Sequence, residues 1–307
     1  MSTPQQRPAD TLRKPDWLKV KVPGGEQFNW IKARARSLRL HTVCEEARCP
    51  NIAECWQGGT ATFMLMGDTC TRGCRFCSVK TMRAPPPLDP GEPENIAETI
   101  RDMGLEYVVL TSVNRDELPG QGADHIAETI RRTRLANPRL MIEVLIPDFK
   151  GEPALLEQVL LARPTVLAHN VETVERLTPT VRDPRATFAQ SISVLRHAKR
   201  FAPDIPTKSS LMLGLGETEA EILAAMRALR VIGVDFLTLG QYLQPGRGKL
   251  KVVEYVHPDV FARLEAQGLE MGFQYVAAGP LVRSSYRAAE YYIGRALRGR
   301  TPAPEPS

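Results

Sequence analysis

The stretch ATFMLMGDTCTRGCRFC, residues 61–77, joins an apolar run of strand character to a loop holding three cysteines, Cys70, Cys74 and Cys77. A structural zinc site closes its tetrahedron with four protein ligands, so a group of three either borrows a fourth or leaves one metal position open for chemistry. A strand that hands over to ligand-bearing residues also marks the edge where the fold should gather its functional groups.

From this strand onward, short apolar runs alternate with helical patterns. The runs are YVVLTSV (107–113), LMIEVLIPD (140–148), TVLAHNVE (165–172), PTKSSLMLG (206–214), VDFLTLGQYL (234–243) and FQYVAAGPLV (273–282). Between them ENIAETIRDMG, ADHIAETIRRTRLA, PALLEQVLLA, FAQSISVLRHAKR, EAEILAAMRALRVIG and PDVFARLEAQGLEMG place apolar residues at three- and four-residue spacing, as helices packed on a sheet do. The alternation predicts an α/β fold with a parallel sheet. Six or seven units exceed a small doubly wound sheet and fall short of an eight-fold barrel. This favours an incomplete (βα)6-type, TIM-like barrel over a Rossmann-type fold.

Either architecture collects ligands at the carboxyl ends of the strands. There the chain places Thr111, Ser112, Asn114, Arg115 and Asp116; His169, Asn170 and Glu172; Lys208 and Ser209; Gln241 and Tyr242; and Arg283, Ser284 and Ser285. Any one of these alone reads as a loop cap. Such groups at five strand ends read as a lined mouth.

The 307 residues, 43% hydrophobic, are enough for a sizeable core. The net charge of +5 is spread along the chain, and no basic patch interleaved with aromatics is present, which argues against nucleic acid as a partner. No stretch approaches the roughly 18 apolar residues of a membrane span, and MSTPQQRPADTLRKPDW has no apolar centre of a secretory signal. The expectation is a cytoplasmic protein without a membrane partner. A reducing compartment keeps thiols free for metals or catalysis. All six cysteines lie between Cys44 and Cys77, whereas cysteines serving only as small core residues would be scattered.

Three segments are expected: an N-terminal extension over 1–59, the barrel over 60–282, and a C-terminal extension over 283–307 ending in the proline-rich, disordered tail TPAPEPS. APPPLDPGEPEN (84–95) reads as an extended linker into the first helix.

The cysteines form two trios. Cys70, Cys74 and Cys77 have the spacing C-x3-C-x2-C, and Cys44, Cys49 and Cys55 the spacing C-x4-C-x5-C. Two zinc sites with borrowed ligands such as His41 or Glu45 are one reading; two iron–sulfur clusters, each held by three thiolates with a fourth iron left over, are the other. Neither trio has the paired C-x2-C arrangement of a zinc ribbon, which disfavours zinc.

C-x3-C-x2-C with the aromatic Phe76 before the third cysteine closely resembles the signature of the radical S-adenosylmethionine enzymes. The resemblance implies a [4Fe–4S] cluster on Cys70, Cys74 and Cys77, with its unique iron chelated by the amino and carboxylate groups of S-adenosylmethionine. Cleavage of that molecule yields a 5′-deoxyadenosyl radical, chemistry that belongs to the cofactor. By chemical type, Lys208 or Arg115 suits the methionine carboxylate and Asn170 and Glu172 suit the ribose. Phe76, Ser112, Asn114 and Tyr242 complete the expected contacts. GLGE (214–217) offers close backbone approach.

CEEARCPNIAECW, CTRGCRFC, LIPDFKGE, LAHNVETV, KSSLMLGLGE, QYLQP and AGPLVRSSYR together resemble the lipoyl synthase family over roughly residues 38–290. The family's usual RSSYHA reads RSSYRA here, departing at Arg287. The resemblance implies insertion of sulfur at C6 and C8 of an octanoyl chain on a lysine of a lipoyl-carrier domain or the glycine-cleavage H protein. It also implies a second [4Fe–4S] cluster on Cys44, Cys49, Cys55 and Ser285 as the sulfur source. An electron donor of ferredoxin or flavodoxin type and an iron–sulfur carrier that rebuilds the spent cluster are the further partners. The competing readings are a methylthiotransferase-like enzyme, which usually carries a separate N-terminal domain for its extra cluster, and a non-catalytic metal scaffold or electron carrier. For Ser284 and Ser285 a plain helix-capping role is the alternative.

Overall fold

The strand before the cysteine loop is the first of seven parallel strands in the computed structural model, which describes residues 13–18, 33, 38, 40–42 and 60–285. Cys44, Cys49, Cys55, Arg287 and the proline-rich tail lie outside the described residues.

In chain order the elements are β1 (His41–Thr42), β2 (Thr60–Leu65), β3 (Thr69–Cys70), β4 (Lys80–Thr81), α1 (Glu92–Met103), β5 (Tyr107–Ser112), α2 (Ala123–Ala136), β6 (Met141–Leu145), α3 (Pro153–Leu161) and β7 (Val166–Ala168). There follow α4 (Thr178–Val181), α5 (Phe188–Phe201), β8 (Thr207–Leu213), α6 (Glu219–Val231), β9 (Phe236–Gln241), α7 (Pro258–Glu270) and β10 (Tyr275–Gly279). The sheet order is β1-β2-β5-β6-β7-β8-β9-β10, parallel throughout except for β1, which runs antiparallel to β2. Helices bridge all six crossings from β2 to β10, and the sheet curves without closing among the described residues. The expected incomplete barrel is therefore the observed fold, with all seven strand runs in their predicted places.

Local chemistry sets the boundaries. Helix α1 starts with Glu92, Pro93 and Glu94 in its first turn and stops at Gly104, whose φ of 62° closes the helix in the left-handed region. It thus claims the last residues of the expected 84–95 linker. Helix α6 opens on a capping box in which Thr218 and Glu221 satisfy each other's backbone N–H groups.

The apolar core lies between sheet and helices in two halves. One contains Phe63, Leu110, Ile126 and Ile142; the other contains Leu211, Met226, Leu237 and Phe261. The barrel interior is layered by the two-residue period of its strands. Tyr107, Glu143 and Lys208 form a deep layer at the start of the barrel, where Lys208 Nζ bonds both Glu143 oxygens at 2.9 and 3.0 Å and the Tyr107 hydroxyl donates to Glu143 at 2.5 Å. Thr111, Leu145, Ser210 and Met212 lie above, towards the carboxyl ends.

The N-terminal stretch packs on the barrel where it is described. Leu18 is buried, and Trp17 meets the His257 ring edge-on at 5.2 Å. No helix among the described residues is long and apolar enough to cross a membrane.

Candidate active site

At the carboxyl ends of the strands the barrel opens into a cavity of about 640 Å³ that is lined by Cys70, Cys74 and Cys77. Backbone N–H groups point at the sulfurs. Asn114 N and Arg72 N donate to Cys70 Sγ at 3.3 and 3.4 Å, and Asp183 N donates to Cys74 Sγ at 3.3 Å. Val79 serves Cys77 in the same way. Burial raises the Cys77 thiol above its ordinary range and pushes Cys74 up to about 11, which favours the protonated thiols until a cation compensates the thiolate charge. Among the described residues the thiols do not converge on one ion-sized point. All three line the same cavity.

The loop carrying them is fastened by charge. Arg72, between the first two cysteines, pairs with Asp116 at 2.8 Å and with Asp148 at 2.6 Å, reaching the ends of β5 and β6. Gly73 N donates to Asp183 at 2.9 Å, and Arg185 bonds Asp183 at 2.8 Å and the Thr71 carbonyl at 2.8 Å. Burial works against the charge of Asp148, but the Arg72 hydrogen bond and cation outweigh it and hold its carboxyl below the usual range.

The same lining carries buried polar atoms without partners among the described residues. Ser112 Oγ, Asn170 Oδ1 and Arg182 Nε are enclosed and unbonded, and all three residues line the cavity. Orphaned polar groups of this kind are rare in native interiors, and a bound polar ligand would satisfy them. Among the described residues the Arg182 guanidinium bonds to Ser191 Oγ at 2.8 Å and, weakly, to the Val171 carbonyl at 3.4 Å. Glu172, which also lines the cavity, is held at φ 68°, a strained backbone for a non-glycine residue. Burial raises its carboxyl above the ordinary range, with Arg182 opposing.

Of the residues expected at the mouth, Phe76, Ser112, Asn114, Asn170, Glu172, Tyr242 and Ser285 all line this cavity. The Tyr242 hydroxyl is spent on the Leu250 carbonyl at 2.9 Å, so this residue offers a wall and not a donor. Two residues expected at the mouth stand off the lining. Lys208 faces inward as the strand period requires, but it is the second residue of β8 and sits in the deep layer, 1% exposed and paired with Glu143. Arg115 turns away from the mouth, bonding Glu117 at 2.6 Å and the carbonyls of Met66 and Pro86 at 3.2 and 2.8 Å. It clips three loops together. The GLGE turn also lies off the cavity. A Cβ on Gly214, at φ 96°, would meet the Gln241 side chain and the Glu254 carbonyl at 2.3 Å, so this glycine serves backbone packing.

Another glycine brings in the C-terminal motif. A Cβ on Gly240 would sit 2.1 Å from the Val282 carbonyl, and the missing side chain lets residues 282–285 cross β9 closely enough for Arg283, Ser284 and Ser285 to join the lining. Sequence reasoning missed Arg182, Arg72, Asp148 and Ser191. Arg182 lies in the connection between α4 and α5, where no periodicity marks it, and Arg72 was hidden inside the cysteine motif.

The residues fit an iron–sulfur cluster with a polar, carboxylate-bearing ligand: three thiols that accept from backbone N–H groups line one cavity with a guanidinium and buried acceptors that lack partners among the described residues. Comparisons with known proteins agree. The Radical SAM superfamily model matches residues 64–229, and a model of the N-terminal domain of lipoyl synthase of the Radical SAM family matches residues 3–49. The chain is 58% identical to the lipoyl synthase of Anaeromyxobacter sp. (strain Fw109-5) over 96% of this chain and 100% of that one. It is 56% identical to the mitochondrial lipoyl synthase of Homo sapiens over 94% of this chain and 79% of that one. Among solved structures, methylornithine synthase (PylB) shares the fold with a TM-score of 0.53 at 15% identity, covering 90% of this chain and 94% of that one.

Proposed function

The chain belongs to the lipoyl synthase family of radical S-adenosylmethionine enzymes, and from that premise we propose that it inserts sulfur at C6 and C8 of an octanoyl group carried on a protein lysine. It is a sulfur-inserting enzyme that uses a [4Fe–4S] cluster and S-adenosylmethionine. The observation that supports the site assignment is that one cavity is lined by three thiols, the Arg182 guanidinium and buried polar atoms that lack partners among the described residues.

Cys70, Cys74 and Cys77 hold the cluster that binds S-adenosylmethionine. When bound, that pair supplies a 5′-deoxyadenosyl radical able to take hydrogen from an unactivated carbon. Arg182, in the role first given to Lys208 or Arg115, meets the methionine carboxylate. Asn170 Oδ1 and the Glu172 carboxyl accept from the ribose hydroxyls, and Ser112 Oγ satisfies a further polar atom. The apolar side chains of Met64, Val113, Ile146, Leu211 and Met212 on the same lining accommodate the octanoyl chain and exclude water from it.

The sulfur comes from a second [4Fe–4S] cluster held by Cys44, Cys49, Cys55 and Ser285. The position of Ser285 on the cavity wall supports this reading, since it brings the fourth ligand to the space the substrate would occupy. The oxygen of serine is a harder iron ligand than thiolate and can be reprotonated and released as iron is lost. Residues 1–59 act as the extension bearing that cluster, 60–282 as the barrel and 283–307 as the closing segment. Octanoylated lipoyl-carrier domains or the glycine-cleavage H protein are the substrates, a ferredoxin- or flavodoxin-type protein the reductant, an iron–sulfur carrier the source of new clusters, and the cytoplasm the site of action.

Anaerobically reconstituted protein given reductant and S-adenosylmethionine should release 5′-deoxyadenosine. Iron-loaded protein that releases none would overturn the assignment of the cavity.

A further inference from the structure

We propose that His169 and Ser191 are positioning residues that fix Arg182 as the carboxylate anchor of the cavity, through a chain of hydrogen bonds with a single direction. The identity of the ligand rests on the S-adenosylmethionine reading of the cavity; the chain itself rests on geometry. An arginine can only donate. Arg182 Nη1 lies 2.8 Å from Ser191 Oγ, so that oxygen accepts, and its own proton is directed to its other neighbour, His169 Nε2, at 2.9 Å. Nε2 then accepts, which leaves the ring proton on Nδ1, donated to the Ile146 carbonyl at 3.0 Å. Each group from carbonyl to guanidinium has one role.

The chain is buried, with Ser191 0%, His169 3% and Arg182 8% exposed, and His169 and Arg182 also line the cavity. Burial, and then the Arg182 cation, push the His169 imidazole down to about 4, which keeps the ring neutral and able to accept at Nε2. Four parts of the fold contribute. Ile146 follows β6, His169 follows β7, Arg182 lies between α4 and α5, and Ser191 is in the first turns of α5. Ser191 holds Nη1 from behind, and the buried Nε has no partner among the described residues. An anchor ordered before binding spares the ligand the entropy of ordering a long side chain.

Equilibrium dialysis of the anaerobic, reconstituted protein tests this with two probes, S-adenosylhomocysteine, which carries the carboxylate, and 5′-methylthioadenosine, which lacks it. Ser191→Ala should weaken S-adenosylhomocysteine about tenfold, the loss of one well-placed charged contact, and leave 5′-methylthioadenosine within about twofold. His169→Phe, which keeps a ring but no acceptor, should show the same split. Ser191→Thr, which keeps the hydroxyl, should bind both probes as the wild type does. Equal weakening of both probes in Ser191→Ala, or no weakening of either, would overturn the proposal, as would a Ser191→Thr variant that behaved like Ser191→Ala. Wild-type protein that bound neither probe would instead overturn the reading of the cavity on which the ligand's identity rests.

Discussion

Arg72 and Asp148 form an ion pair of 2.6 Å with side chains only 2% and 1% exposed, tying a residue inside the cysteine motif to the far end of β6. The loop that must hold three thiols in register is thus anchored by a buried charge and not by its own secondary structure, for only Thr69–Cys70 and Lys80–Thr81 pair as short strands around it.

Replacing Asp148 by Asn leaves the Arg72 charge with Asp116 as its remaining carboxylate. Breaking one side of a buried pair costs about 3–5 kcal/mol, and the surviving partner should hold the loss near about 3 kcal/mol. Urea unfolding of the cluster-free chain reads this directly. Unchanged stability in Asp148→Asn would show that the clamp contributes nothing.

Lys208 offers the opposite kind of test. Lys208→Met should destabilise the fold by about 3 kcal/mol because Glu143 is left buried and unpaired, and adding Glu143→Leu should recover most of that loss. Binding of S-adenosylmethionine to the folded protein should not change. A variant of normal stability with weakened S-adenosylmethionine binding would return Lys208 to the mouth of the barrel.

The two cysteine trios should separate by phenotype. Cys74→Ala removes a ligand of the radical-generating cluster and should abolish 5′-deoxyadenosine formation. Cys49→Ala should still form deoxyadenosine at reduced yield while transferring no sulfur. Iron analysis should find about eight irons in the wild type, from two cubane clusters. Thiolated product from Cys49→Ala would remove the second cluster from the mechanism.

Ser285 distinguishes a cluster ligand from a helix cap. As a ligand, its replacement by Ala should alter the second cluster and spare deoxyadenosine formation; as a cap, it would cost about 1 kcal/mol and touch no iron. Ser285→Cys should keep full iron yet depress sulfur insertion, because a thiolate releases iron less readily than an alkoxide that can be reprotonated. Wild-type rates in both variants would shift attention to Ser284, its neighbour on the same wall.

The barrel was legible because its strands are short, β-branched and buried on both faces, as in YVVLTS, where five of six residues are enclosed. The thiols were legible because their ligand spacing is local. What periodicity could not supply was depth. Lys208, Ser210 and Met212 share one face of β8, and only register decides that Lys208 lies in the deep layer while Met212 reaches the cavity. Arg182 and Ser191 were illegible for a different reason. Their partners lie across separate elements, and neither spacing nor composition links a connection residue to a helix nine positions on.

Sulfur insertion is read from the mass of the product. Reconstituted protein incubated with an octanoyl-lysyl peptide, reductant and S-adenosylmethionine should convert the peptide to a species carrying two added sulfur atoms, with fragmentation placing them at C6 and C8. Recovery of unaltered octanoyl peptide while deoxyadenosine accumulates, or a product bearing a methylthio group, would rule out sulfur insertion at C6 and C8 as the reaction of this enzyme.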